Sequence, residues 1–132
     1  MRQTLLFNAL EAVELNVNRR NANLKMYEVG NCYAFAAEKA AEDNTLAKYE
    51  ESYRIGITVT GLATQLLWNS KAEGSSFFTL RAMVEKLLKR FGIDIYALQC
   101  ESLDCDLYAD AIVFKQGPME VLRMGVVHPV VR

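Results

Sequence analysis

Hydrophobic positions change their period several times along the chain, and each change marks an element. From Thr4 to Arg20 the apolar residues Leu6, Ala9, Leu10, Val13 and Val17 recur at helical spacing. Leu5, Ala12 and Leu15 add a second apolar edge, so the apolar arc is wider than one core contact requires. Two readings fit that width: a helix set deep in its own domain, or a helix with one edge given to a subunit interface. Arg19 and Arg20 fall in the last turn, where positive charge suits the helix dipole. Asn21 and Asn23 can take the left-handed conformation that ends a helix. Leu24 to Phe35 then alternates with period two, which predicts a long strand. Tyr27, Val29, Tyr33 and Phe35 share one face, and Leu24, Met26, Cys32 and Ala34 the other. Both faces are largely apolar, so the strand is expected to be central and covered on both sides. Glu28 interrupts its face and needs a partner, because an unpaired buried charge is costly; Arg81 is the candidate on polarity. Gly30, two residues on, marks a bulge or a close approach to the backbone.

The remaining pattern is shorter in range. Ala36 to Ser52 is rich in Ala, Glu and Lys and reads as an exposed, mobile connection. Tyr53 to Leu62 alternates again, as a second strand antiparallel to the first with one wetter face. Ala63 to Ser76 reads as a loop carrying the sole tryptophan, Trp68, and closing on Gly74, Ser75 and an N-cap at Ser76. Phe77 to Phe91 is a clear amphipathic helix with Phe77, Leu80, Val84, Leu87, Leu88 and Phe91 on one face, stopped by Gly92. Ile95 to Ser102, Leu107 to Lys115 and Met119 to Val127 follow as strands, the last two joined by a turn at Gln116, Gly117 and Pro118. Helix, two strands, helix, three strands without a repeating strand–helix–strand unit predicts an α+β fold. It would have an antiparallel sheet and helices packed mainly on one face.

Composition narrows the function classes. The chain has 132 residues, enough for a single domain with a real core. Its 15 basic and 16 acidic residues give a net charge of −1, against the basic balance of a dedicated nucleic-acid-binding domain. No apolar run approaches a membrane span and no signal-peptide pattern opens the chain, so no membrane association is expected. Three cysteines, Cys32, Cys100 and Cys105, without a CxxC pair, point to free thiols in a reducing cytoplasm. The chain starts its helix at residue 4 and stops on Val130, Val131 and Arg132, which looks like a boundary drawn inside a longer protein.

Candidate chemistry is sparse. Cys100, Cys105 and His128 supply three metal ligands but no fourth and no CxxC spacing, so no metal site is expected. Cys32 lacks a nearby base and reads as a small core residue rather than a nucleophile. Glu101, Asp104, Asp106 and Asp110 surround a turn and read as a solvated acidic loop rather than a cation site. His128 before Pro129 shapes a turn.

Several segments together carry a resemblance. Arg2, Leu5 and Leu6, then Asn16, Asn18 and Arg19, then the strand Met26 to Gly30, resemble the opening of the core domain of the bacterial phenylalanyl-tRNA synthetase beta chain. Ser75 to Ile93 resembles that family's Asp-Phe-Phe-x-Leu-Lys helix, with Ser76 for the Asp and Arg81 for the Lys. Leu122 to Pro129 resembles its Gly-x-x-His-Pro segment. The resemblance covers nearly the whole chain, with the segments in order, and implies a class II aminoacyl-tRNA synthetase-like fold. Residues 27 to 36 are similar to motif 2 of that class, whose active members read Glu-Ile-Gly-x-x-Phe-Arg-x-Glu. The Arg position holds Ala34 and the Glu position Ala36. Alanine cannot neutralise a phosphate, so adenylate formation by this chain is not expected. The resemblance further implies no catalytic or cofactor-binding residues here, ATP and Mg2+ being used by the parent complex. It implies a catalytic alpha subunit as partner in an (αβ)2 heterotetramer, with tRNA(Phe) bound by that complex. The expected subunit interface is the first helix, through Leu6, Leu10, Val13, Val17, Arg19 and Arg20. A rival reading is a stand-alone small-molecule-binding module of the same fold, with Glu28 and Gly30 lining its pocket. An unrelated α+β enzyme finds no catalytic constellation in the sequence.

Overall fold

The computed structural model describes residues 2–35, 49–64 and 67–128. The chain divides into two compact units, Met1–Glu73 and Gly74–Arg132. Among the described residues the secondary structure is α+β, with two α-helices and seven strands, and every pairing given for the long strands is antiparallel.

In the first unit, α1 (Leu6–Asn18) begins where the Thr4 hydroxyl accepts the Leu6 N–H at 3.2 Å. It ends in a Schellman-type closure, with Asn21 N–H on Asn16 O at 2.9 Å and Arg20 N–H on Val17 O at 2.9 Å. The left-handed residue of that closure is Arg20, at φ 64, and not one of the asparagines that the sequence suggests. Strand β1 (Leu24–Phe35) occupies the span that alternation predicts. It pairs along its whole length with β2 (Tyr49–Thr60), from Leu24 opposite Thr60 to Phe35 opposite Tyr49. β2 therefore begins four residues before the predicted start. Tyr49 to Ser52 is polar and carries no alternation, and its extended state comes from pairing with the end of β1, where Phe35 and Tyr49 meet edge to face at 5.8 Å. The predicted connection at 36–48, including Ala36, lies outside the described residues. β3 (Leu62–Thr64) and β4 (Glu73–Gly74) form a small separate sheet within the stretch expected to be a loop.

α1 packs against β2, with Leu5 buried over Gly56. Gly56 is paired with Glu28, so the covered face of the ribbon is the one bearing Leu24, Met26, Glu28, Gly30 and Cys32. Cys32 is the most deeply buried side chain there, as a core residue should be. The expectation that β1 is central and covered on both sides is not met. Among the described residues β1 pairs only with β2, and its opposite face, with Tyr27, Val29 and Phe35, stands exposed. Apolar alternation on both faces says that both dislike water; it does not say that this chain covers both.

In the second unit, α2 (Phe77–Arg90) starts at Ser76, whose N–H donates to Thr79 Oγ1 at 3.3 Å. It closes with Ile93 N–H on Leu88 O at 2.9 Å and Gly92 in the left-handed region at φ 76, as the sequence anticipates. A 3-10 turn at Ile95–Ala97, capped by Asp94, replaces the first residues of the predicted third strand. β5 (Gln99–Leu103), β6 (Tyr108–Gln116) and β7 (Met119–Val127) form a three-stranded meander with β6 in the middle. α2 packs on β7 and on the 3-10 turn. Val84, Ile95, Ala111, Val113, Phe114 and Met124 are its buried apolar residues. Among the described residues the strands thus form three small sheets rather than the one antiparallel sheet expected. No helix among the described residues is long and apolar enough to cross a membrane.

Candidate subunit interface

α1 is apolar at eight of its thirteen positions, yet none of its side chains is buried. Leu6, Leu10 and Val13 are half-buried, while Val17, Arg19 and Arg20 are exposed. The structure therefore sets the first three of the expected interface residues on the shoulder of the helix. The last three stand clear of the unit at its C-terminal end. Phe7 and Leu15 add about half-exposed apolar surface beyond that stripe, with Glu11 and Glu14 exposed between them. The stripe argument missed Phe7, which falls one position off the helical spacing. The only sequence signal for it is a bulky aromatic on a helix already wide in apolar residues. Arg20 sits in a conformation that costs about 1–2 kcal/mol for a residue with a Cβ. The two hydrogen bonds of the helix closure hold it there, with the side chain exposed.

The segment similar to motif 2 begins within β1. Ala34 is exposed and stands opposite Glu50 in the ladder, so its cross-strand neighbour is an anion, the wrong sign for a phosphate. Ala36 lies outside the described residues. Glu28 is paired, but with Arg2 rather than Arg81. The Arg2 guanidinium donates to Glu28 Oε1 through Nη1 and to the Asn31 carbonyl through Nε at 3.2 Å. The Arg2 carbonyl accepts the Tyr33 N–H at 2.9 Å, which lashes the start of the chain to β1. A Cβ at position 30 would fall 2.0 Å from Arg2 Nη2, so Gly30 makes room for this arginine. The close approach that Gly30 signals is therefore internal. The place that the small-molecule reading would use as a pocket is filled by the chain's own guanidinium.

The remaining polar candidates are dispersed or paired. Cys100 is exposed on β5, Cys105 is half-buried in the following loop, and the His128 N–H bonds Leu107 O at 2.9 Å, extending the β6–β7 end of the meander. Among the described residues no group of three or more His, Cys, Asp or Glu side chains is placed to hold a metal ion. Glu101 is bridged by Lys115 at 2.6 Å across β5 and β6. Burial raises the Tyr108 pKa, Arg123 opposing it and Cys105 and Glu120 reinforcing it. A hydrogen bond from Arg123 to Glu120 at 3.0 Å raises the arginine's pKa further above its already high value.

The whole chain, residues 1–132, matches the family model described as phenylalanyl tRNA synthetase beta chain CLM domain. It is 43% identical over 128 residues to the phenylalanine–tRNA ligase beta subunit of Bacteroides fragilis, covering 96% of this chain and 16% of that protein. The beta subunit of Bacteroides thetaiotaomicron is 44% identical over the same length, with the same coverage. That of Porphyromonas gingivalis is 41% identical over 115 residues, 87% of this chain and 14% of that protein. The chain thus spans less than a fifth of the length of the relatives it matches. It belongs to the phenylalanyl-tRNA synthetase beta chain family, and corresponds to the part of that chain described as its CLM domain.

Proposed function

We propose that this chain is a non-catalytic core of the phenylalanine–tRNA ligase beta subunit, with a class II synthetase-like ancestry, and that α1 is a docking element for the catalytic alpha subunit. The observation that carries the reading is α1 itself. A helix with apolar stripe and second edge that fully buries no side chain in its own unit, and leaves Phe7, Leu15 and Val17 about half exposed, has apolar surface free for a partner. Leu6, Leu10, Val13 and Val17 form the seam, Phe7 and Leu15 widen it, and Arg19 and Arg20 set charges at its end. Ala34 beside Glu50 supports the non-catalytic half of the reading. In this account the alpha subunit uses ATP and Mg2+ to activate phenylalanine, the complex is a cytoplasmic (αβ)2 heterotetramer, and tRNA(Phe) binds the complex. The purified chain should give no phenylalanine-dependent exchange of pyrophosphate into ATP, at any concentration at which it stays soluble. Exchange by the chain alone would end the non-catalytic reading.

A further inference from the structure

Residues 2–5, just ahead of α1, lie in a channel made by missing side chains. Residues opposite in an antiparallel ladder share a face, and so do residues two apart on one strand. Glu28 stands opposite Gly56 and Gly30 opposite Arg54, so the two glycines are diagonal neighbours on the face that the start of the chain covers. Leu5 is buried over Gly56, where an added Cβ would come 3.3 Å from its own Cβ. Arg2 crosses the other glycine, with Nη2 over the Gly30 backbone. Two more nitrogens of the same guanidinium are engaged: Nη1 donates to Glu28 Oε1, and Nε donates to the Asn31 carbonyl at 3.2 Å. The Tyr33 N–H donates to the Arg2 carbonyl at 2.9 Å. Little else holds the helix that follows. No side chain of α1 is buried, and among the described residues of the first unit only Leu5, Gly30 and Cys32 are. A helix of 13 residues is marginal in water on its own, so its order depends on what it is tied to.

We propose that Arg2 is the positioning residue of α1: residues 2–5 are a strap that fixes the helix on the ribbon, and Glu28, Gly30 and the Asn31 carbonyl are a seat for a guanidinium. Charge alone does not fill this seat. The planar fork puts one nitrogen on a carboxylate and another on a backbone carbonyl, and the missing side chain at Gly30 leaves room for the plane to lie flat. A lysine ammonium at position 2 would be a point charge for Glu28 and would leave Asn31 unmet. Arg54 is on the same face, opposite Gly30, but its Nε donates to Ser52 Oγ at 3.0 Å. How α1 is held is a separate matter from what it docks, so failure of the alpha-subunit reading would leave the seat untouched.

Hydrogen exchange on the full 132-residue chain tests this. Helix amides that are released by lifting the strap exchange faster as the seat weakens. Each variant is made in an Arg54→Gln background, so that no second guanidinium can take the seat. Arg2→Ala should speed exchange of the amides from Ala9 to Asn18, and of Tyr33, by about fivefold, the factor for losing one hydrogen bond to a partly screened charge. Arg2→Lys should do nearly the same, and Glu28→Gln should add little once Arg2 is gone. Should the Arg2→Ala chain fail to fold, Arg2→Lys and Glu28→Gln carry the same comparison. Unchanged α1 amides, with the slowest amides of the β1–β2 ladder accelerated, would mean that Arg2 stabilises the unit without holding the helix, and overturns the proposal. Full protection of α1 in the Arg2→Lys chain overturns the guanidinium seat.

Discussion

Glu28 and Gly30 are explained by a residue far away in sequence. Arg2 and Glu28 are each about a third exposed, so their ion pair is screened and modest. With the added bond to the Asn31 carbonyl, Arg2→Ala should cost about 1 kcal/mol in urea unfolding. Gly30→Ala should cost a similar amount by displacing the guanidinium, yet cost little in a chain that already carries Arg2→Ala, since the obstruction is gone. Additive losses would mean that Gly30 serves some other purpose. Arg81 was a reasonable partner on polarity alone, but a side chain's charge does not say where the backbone takes it. Tyr108 allows a test by pH. Burial raises its pKa above the ordinary tyrosine value of about 10. The folded chain then keeps a proton that the unfolded chain has already lost, so this contribution is intact below about pH 10 and declines as pH rises through the folded pKa. Tyr108→Phe should flatten that alkaline decline while leaving stability at neutral pH within about 1 kcal/mol. An equally steep decline in the variant would show that Tyr108 plays no part in it.

Among the elements, those whose pattern is local could be read in advance. β1 and β7 keep the bounds that alternation predicts, and α2 differs by one residue at its end, because stripe, cap and Gly92 agree. What could not be read was imposed by partners at a distance. Tyr49 to Ser52 becomes strand only because the end of β1 lies beside it, and the 3-10 turn at Ile95–Ala97 is held by the Asp94 side chain. The candidate interface shows the same division. The Leu6, Leu10, Val13 and Val17 stripe is written in the helical period, whereas the exposure of the far face of β1 depends on which strands pair. The left-handed Arg20 is a further non-local choice, since two asparagines better suited to that conformation follow it. Arg20→Gly should therefore leave the chain as stable or more stable, by up to about 1 kcal/mol in thermal or urea unfolding. A clear destabilisation would indicate that the arginine side chain holds the helix end together.

At the scale of the whole molecule, the chain is a member of a family whose full-length relatives are several times longer, and it keeps unburied surface where an independent module would have core. In this account an apolar helix without a buried side chain is a site waiting for its partner subunit. The most direct measurement is the affinity of the purified chain for a matching phenylalanine–tRNA ligase alpha subunit, by titration or copurification. It should be set beside the Leu15→Asp/Val17→Asp variant, whose changes lie on the exposed part of α1. The account predicts a stable complex with the unaltered chain and affinity reduced by about a hundredfold or more in the variant, with its fold intact. Equal affinity for the two chains, or no complex with either, would contradict it.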